Sequence, residues 1–289
     1  MRVVHDVREL EPADRCVAIG TFDGVHRGHQ RVLGAAVGSP LRSAVVTFHP
    51  HPRAVLGTGV ELLTTLGRRL ELMGSLGLDE AIVIEFTREL AATPPDVFVE
   101  RVLRPLRTQR VVAGADFRFG HGRAGDLGLL ESLGLDVERV PLLDGVSSSA
   151  IRGYLRDGDV RTAAELLGRP AEVEGVVVAG DARGETLGFP TANLDPEPDL
   201  LVPAFGIYAG AAAGHRAAIS IGTNPHYGGA ERRIEAFLLD FDGDLYGQRL
   251  VVELWERLRD EQAFASEEEL VAQIGRDVEA TRRAERPDT

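Results

Sequence analysis

Five short apolar runs rich in Val, Ile and Ala recur through the first half of the chain: Cys16–Gly20, Ser43–Phe48, Ala81–Phe86, Arg110–Ala115 and Val137–Leu142. Between them lie segments with apolar residues at helical spacing, Leu66–Leu76 and Val97–Leu106 among them. That alternation leaves few folds open. Strands that are apolar on both faces must be covered on both, and intervening helices supply the cover, so the pattern predicts a Rossmann-like parallel sheet in an α/β domain. Such sheets bind ligands beyond the carboxyl ends of their strands. Three loops with unusual chemistry follow strands here: Gly20–His29 after the first, His49-Pro50-His51-Pro52 after the second and Asp116–Gly125 after the fourth.

The pattern changes near Gly168-Arg169-Pro170. Beyond it come Glu172–Val178, Gly206–Ala212, Ala217–Ile221, Arg233–Leu239 and Leu250–Leu254, short runs divided by Gly- and Pro-rich turns. These predict an antiparallel β-barrel. Ser266 with Glu269 three residues on is a capping-box pattern, and Leu270, Ile274 and Val278 give the following terminal helix an apolar stripe. Two domains are expected, residues 1–168 and 169–285, and a chain of 289 residues is long enough for two cores. No apolar run approaches the ~20 residues of a membrane span. A single cysteine, Cys16, excludes an intramolecular disulfide and fits a reducing compartment. The first residues lack a signal-peptide stretch, so a cytoplasmic protein without membrane partners is expected.

A formal net charge of −13 argues against nucleic acid as an unaided partner. An absence says more. All 32 Lys and Arg residues are arginine. That rules out a P-loop, the protein-kinase Lys–Glu pair and Schiff-base chemistry. Phosphate charge must be met here by Arg, His, backbone N–H groups and metal.

Residues Gly20-Thr21-Phe22-Asp23-Gly24-Val25-His26-Arg27-Gly28-His29 sit between a strand and a helix start. Backbone N–H groups and the helix dipole make such a junction an anion site. His26 and His29 stand three apart and share one face of the first turn. Their N–H groups can donate to phosphate oxygens as charge develops in a transition state. Zinc binding and a purely structural turn are the alternatives. The segment resembles the HxGH signature of nucleotidyltransferases. Ser147-Ser148-Ser149-Ala150-Ile151-Arg152 follows the fifth run, with hydroxyls to cap a helix or meet phosphate and an arginine to clamp it. Gly120-His121-Gly122-Arg123-Ala124-Gly125 matches GxGxxG in form, but the opening turn of the sheet is already taken. A glycine loop lining an acceptor site is the better account. Phe117 and Phe119 before it are either core or ring-stacking residues.

In the second half, Gly188-Phe189-Pro190-Thr191-Ala192-Asn193 follows the turn Gly180-Asp181-Ala182-Arg183-Gly184. Gly180, Gly184 and Gly188 suit a backbone cradle for phosphates, and Thr191 and Asn193 offer oxygens to Mg2+. Glu235 lies on the strand face opposite Ile234 and Ala236, as a solvated residue or a general base.

With Asp244-Leu245-Tyr246-Gly247 and Leu258-Arg259-Asp260-Glu261, these segments make nearly the whole chain similar to the prokaryotic bifunctional riboflavin kinase/FMN adenylyltransferase family. The resemblance implies ATP as co-substrate of both reactions, Mg2+ as cofactor, and riboflavin and FMN as partners. Thr191 and Asn193 would hold the Mg-nucleotide, and Glu235 would take the proton of riboflavin's 5′-hydroxyl. His26, His29, Ser147, Ser148 and Arg152 would stabilise the triphosphate in adenylyl transfer, and Gly20, Phe22, Asp23 and Gly24 would bind the nucleotide. Asp116, Phe117 and Arg259 would face flavin. Glu185 and Asn224-Pro225-His226-Tyr227 depart from the family pattern, as do Ser149 and His49. Rival readings are a nucleotidyltransferase with one activity on another phosphorylated acceptor and a flavin-binding regulator without catalysis.

Overall fold

The computed structural model describes residues 1–180, 188–223 and 232–288. They form two compact units, Met1–Ser148 and Ser149–Thr289.

In the first unit, strands β1 (Arg2–Val4), β2 (Arg15–Ile19), β3 (Arg42–His49), β4 (Glu80–Glu85), β5 (Thr108–Gly114) and β6 (Asp136–Val140) form one sheet in the order β1-β4-β3-β2-β5-β6. Every pairing is parallel. The five expected strands are present. The added β1 is a three-residue edge strand, too short to leave a periodic signal, and pairs with Glu80–Ile82. Val17 and Ile19 of β2 enter one apolar layer with Val46, Phe98 and Val111. Cys16 and Ala18, pointing the other way, enter a second with Leu33, Val45 and Met73. A strand buried on both faces has no polar face to alternate with, hence the unbroken apolar run.

The strand order reverses at β2. The chain proceeds through β3 to β4 on one side, and through β5 to β6 on the other. The crevice beyond the carboxyl ends of β2 and β5 is therefore the switch point where such sheets take ligands. The turn Gly20–His29 opens there, leading into helix α1 (Arg27–Val37).

In the second unit, β7 (Ala171–Val178), β8 (Ala192–Asp195), β9 (Gly206–Ala212), β10 (His215–Thr223), β11 (Arg232–Leu238) and β12 (Arg249–Arg259) close into a barrel in the order β10-β11-β8-β7-β12-β9. All its pairings are antiparallel. Closure leaves no sheet edge exposed. Two helices, Ser148–Asp157 and Val160–Leu167, precede the barrel, and the second packs on β7 and β12. Contacts divide the chain at Ser148, and these two helices lie between that point and the change of sequence pattern near Gly168. Strand β12 runs past its expected end at Leu254, with register shifts between Leu254 and Glu256 and between Arg257 and Arg259. Those irregularities break the alternation by which a sequence pattern would follow it. The terminal helix Glu267–Arg283 begins as expected, with Ser266 Oγ accepting the Glu269 N–H at 3.2 Å.

Candidate active sites

The turn after β2 is held in an unfavourable shape. Phe22 and Val25 have φ of +52° and +41°, rare for bulky or branched side chains, and Gly24 lies at +82°. A Cβ on Gly24 would stand 2.7 Å from Leu63 Cδ1, so glycine is required on both counts. Asp23 anchors the turn. Its buried carboxylate accepts the N–H groups of Leu63 at 2.9 Å and Thr64 at 3.2 Å. Gly24 N–H donates to Thr64 Oγ1 at 3.1 Å, and Ser148 Oγ donates to the Asp23 carbonyl at 3.0 Å. Asp23, Gly24 and Ser148 thus set the shape of the turn, while Ser147 is exposed beside it.

That shape aligns two imidazoles. His26 is the N-cap of α1, its Nδ1 accepting the His29 N–H at 3.3 Å, which places the neutral ring's proton on Nε2. The two rings stack with centroids 3.6 Å apart, and the Phe22 ring meets His29 edge-on at 5.3 Å. His29 Nδ1 is buried without a hydrogen-bond partner among the described residues. Burial, the His26 ring and the Arg69 guanidinium together hold the His29 pKa well below the ordinary histidine value. A neutral imidazole with an unmatched nitrogen suits a hydrogen bond to an incoming ligand. Among the described residues no cluster of three or more His, Cys, Asp or Glu side chains is placed to hold a metal. Arg152, buried on the helix Ser148–Asp157, falls in the second compact unit.

Arg69 was not anticipated from the sequence. It lies on the helix Leu66–Ser75, fully buried, and donates from Nη1 to the Thr21 carbonyl. The available signal was its position: with Leu66, Leu70 and Met73 it falls on the helix's apolar stripe, where an arginine is out of place.

After β5, Asp116 is exposed and Phe117 half-buried against the core, stacked on Phe119 at 5.7 Å. Phe119 belongs to the core itself. Two of the glycines that follow, Gly120 and Gly125, are explained by packing. A Cβ on Gly120 or Gly125 would come within 2.7 Å or 2.5 Å of Pro95. Phe119 and Gly125 pair as a β-bridge over that contact. Close approach to a proline accounts for Gly120 and Gly125, while Gly122 has open space around it and a φ of +60°.

The second unit holds a cavity of about 920 Å³, lined by the Phe189–Asn193 segment, β10, β11 and part of the terminal helix. Register brings Ser220, Glu235 and Asn193 into one row across β10, β11 and β8. Ile234 and Ala236 are fully buried on the opposite face. Glu235 Oε1 pairs with Arg233 Nε at 2.7 Å, while Oε2 lies 3.5 Å from Thr191 Oγ. Arg233 Nε also donates to Asn193 Oδ1 at 3.0 Å. Thr191, Asn193 and Glu235 are hard oxygen donors of the kind Mg2+ accepts. Two of them already surround a positive charge, so the donor set fits a cation. A Cβ on Gly180 would fall 2.1 Å from Asn193 Nδ2, so glycine there lets Asn193 lie on the backbone. Gly188, at φ +84°, starts the segment with open space around it.

Arg259 lines the cavity, but its charge is matched. Nε and Nη2 grip Asp277 at 3.0 Å and 2.7 Å, and Nη1 donates to the Asp260 carbonyl. It presents a guanidinium plane, with Phe264 6.0 Å away. Ser220 was missed because only the register places it beside Glu235. Gly184, Glu185 and the segment 224–227 lie outside the described residues.

Family models place two descriptions on the chain: FAD synthetase over residues 9–149 and riboflavin kinase over residues 167–285. A bifunctional riboflavin kinase/FMN adenylyltransferase of Bacillus subtilis is 36% identical, over 94% of this chain and 93% of that one. One of Escherichia coli is 37% identical, over 96% and 95%. Among solved structures, a Streptococcus pneumoniae chain described as a macrolide-efflux protein superposes with a TM-score of 0.87 at 30% identity, over 98% of this chain and 99% of that one. No described helix here is long and apolar enough to cross a membrane.

Proposed function

The chain belongs to the bifunctional riboflavin kinase/FMN adenylyltransferase family, and from that premise we propose how its residues divide the work. It phosphorylates riboflavin to FMN and adenylylates FMN to FAD, with ATP serving both reactions.

Phosphorylation belongs to the cavity of the second unit. Glu235 Oε2 takes the proton from the riboflavin 5′-hydroxyl while Arg233 keeps Oε1 in place. Gly180 and Gly188 give the nucleotide phosphates close access to backbone. Thr191 Oγ and Asn193 Oδ1 hold Mg2+, which when bound neutralises phosphate charge. Arg259 borders the flavin. What remains is alignment of the hydroxyl with the γ-phosphorus, and a rigid barrel wall suits that task.

Adenylyl transfer belongs to the first unit's turn. The FMN phosphate, already an anion, attacks the α-phosphorus of ATP and pyrophosphate leaves. His26 and His29 donate to phosphate oxygens, aided by Ser147 and Ser148. Gly20, Phe22, Asp23 and Gly24 hold the turn that aims the imidazoles, and Asp116 and Phe117 border the flavin. Preorganised donors of this kind act mainly on transition-state charge. The cytoplasm is the proposed location, on the strength of Cys16 as a buried free thiol.

The observation that carries this reading is the HxGH turn, with His29 Nδ1 unmatched among the described residues, in one unit and the Thr191, Asn193 and Glu235 cluster in the other. Incubation with riboflavin, ATP and Mg2+ should yield FMN first, then FAD and pyrophosphate. Nucleotidyl transfer to another phosphorylated acceptor, with riboflavin untouched, would overturn it.

A further inference from the structure

Two arginines of the first unit are fully enclosed, and the fold treats them differently. Arg15 is saturated. Its Nε meets Glu80 Oε2 at 2.6 Å, Nη1 the carbonyls of Ala13 and Leu106 at 2.8 and 3.1 Å, and Nη2 the Glu11 carbonyl at 2.8 Å. Arg69, 0% exposed, uses only Nη1, on the Thr21 carbonyl. Its Nε and Nη2 are buried with no acceptor among the described residues. A buried cation left short of acceptors is among the heavier penalties a fold carries, and such groups concentrate where function requires them.

The two unmatched nitrogens are neighbours. Nε and Nη2 form one edge of the guanidinium, and their parallel N–H bonds match two oxygens of a phosphate. The nitrogen that is engaged binds Thr21, within the turn that carries His26 and His29. His29 Nδ1 is unmatched as well. The charge of Asp23 reaches Arg69 and partly offsets the effect of burial on it. That carboxylate is turned to the Leu63 and Thr64 amides. In a chain without lysine, only a guanidinium can bring a permanent positive side-chain charge to this place.

We propose that Arg69 is a phosphate-binding residue of the adenylyltransferase site, its Nε–Nη2 edge taking two oxygens of the ATP triphosphate while Nη1 keeps its hold on Thr21. The proposal rests on the turn being the ATP site of that reaction. The edge is enclosed in the structure, so side chains over it move aside on ATP entry while Nη1 stays on Thr21.

The test uses the full chain with Arg69→Met and Arg69→Lys. FAD formation from FMN and ATP is followed, and so is the reverse reaction from FAD and pyrophosphate. Pyrophosphate probes the phosphate contact alone. Arg69→Met should raise KM for ATP and for pyrophosphate by about 10-fold or more and lower the rate by about 10²–10³. KM for FMN and FAD should change by less than about twofold, and lysine should not restore the loss, because an ammonium cannot make the fork. Riboflavin phosphorylation, in the other unit, should be unchanged. An unaltered KM for pyrophosphate would overturn the proposal. So would an equal fall in affinity for all four substrates, or rescue by lysine, since each marks Arg69 as a support for Thr21. If Arg69→Met fails to fold, the Arg69→Lys comparison of pyrophosphate with FAD decides alone. A parent chain that makes no FAD from FMN would refute the ATP-site reading itself, whatever the Arg69 variants do.

Discussion

Between two fully buried neighbours, Ile234 and Ala236, Glu235 points away from the barrel core and toward Thr191. Its carboxylate is shared between an ion pair and an oxygen left for a hydroxyl, which is the geometry a proton acceptor needs. Glu235→Gln keeps the size and removes the basicity. Riboflavin phosphorylation should fall by about 10²–10⁴, the usual contribution of a positioned base. Conversion of supplied FMN to FAD should continue at the parental rate. Product separation by chromatography checks both, and retained kinase activity would return Glu235 to a solvated strand residue. Glu235, His26 and His29 stand out in the sequence because each is a reactive side chain in a segment with few other reasons to hold one. The work of Asp23 was not, because the amides it binds lie about 40 positions further along. Arg69 was hidden for a related reason: an arginine on a helix reads as surface until its neighbours are known.

Turns and strands show the same division between what pattern reveals and what contacts decide. The parallel strands of the first unit were readable because doubly buried strands are apolar throughout. Strand β8, four residues long within a segment of Pro, Thr and Asn, offered no alternation to read. The glycines at 120 and 125 stood out in sequence, yet their cause is Pro95, some 25 residues earlier. That cause yields a prediction. Gly125→Ala places a methyl 2.5 Å from Pro95 Cβ and 2.9 Å from the Phe119 ring, so the loop must shift. Overpacking of this kind destabilises by about 1–3 kcal/mol. Thermal unfolding should begin at a lower temperature, and because Phe117 and Asp116 lead into this loop, KM for FMN should rise more than KM for ATP. An unshifted transition with parental KM values would show that the loop tolerates the methyl, and that its glycines need another explanation.

At the level of the whole chain, the residues assigned to phosphoryl transfer, from Gly180 to Arg259, all lie in one compact unit, and His26 and His29 lie in the other. The order of the two folds was legible from motifs, while the amphipathic helices Ser148–Asp157 and Val160–Leu167 carry no mark of the partner they pack on. Each assigned chemistry draws on its own ATP, and the product of the first reaction is a substrate of the second. A pair of single variants follows from this. His29→Ala should turn riboflavin into FMN and stop there, through loss of a preorganised donor worth about 10²–10³ in rate. Glu235→Gln should make no FMN from riboflavin but convert supplied FMN to FAD. Mixed with riboflavin, ATP and Mg2+, the two should make FAD after a lag, because FMN released by one chain is captured by the other. The lag should shorten as the His29→Ala protein is increased, since that chain sets the supply of FMN. Absence of FAD from the mixture, with each variant keeping its own remaining activity, would mean that FMN does not leave the chain that makes it.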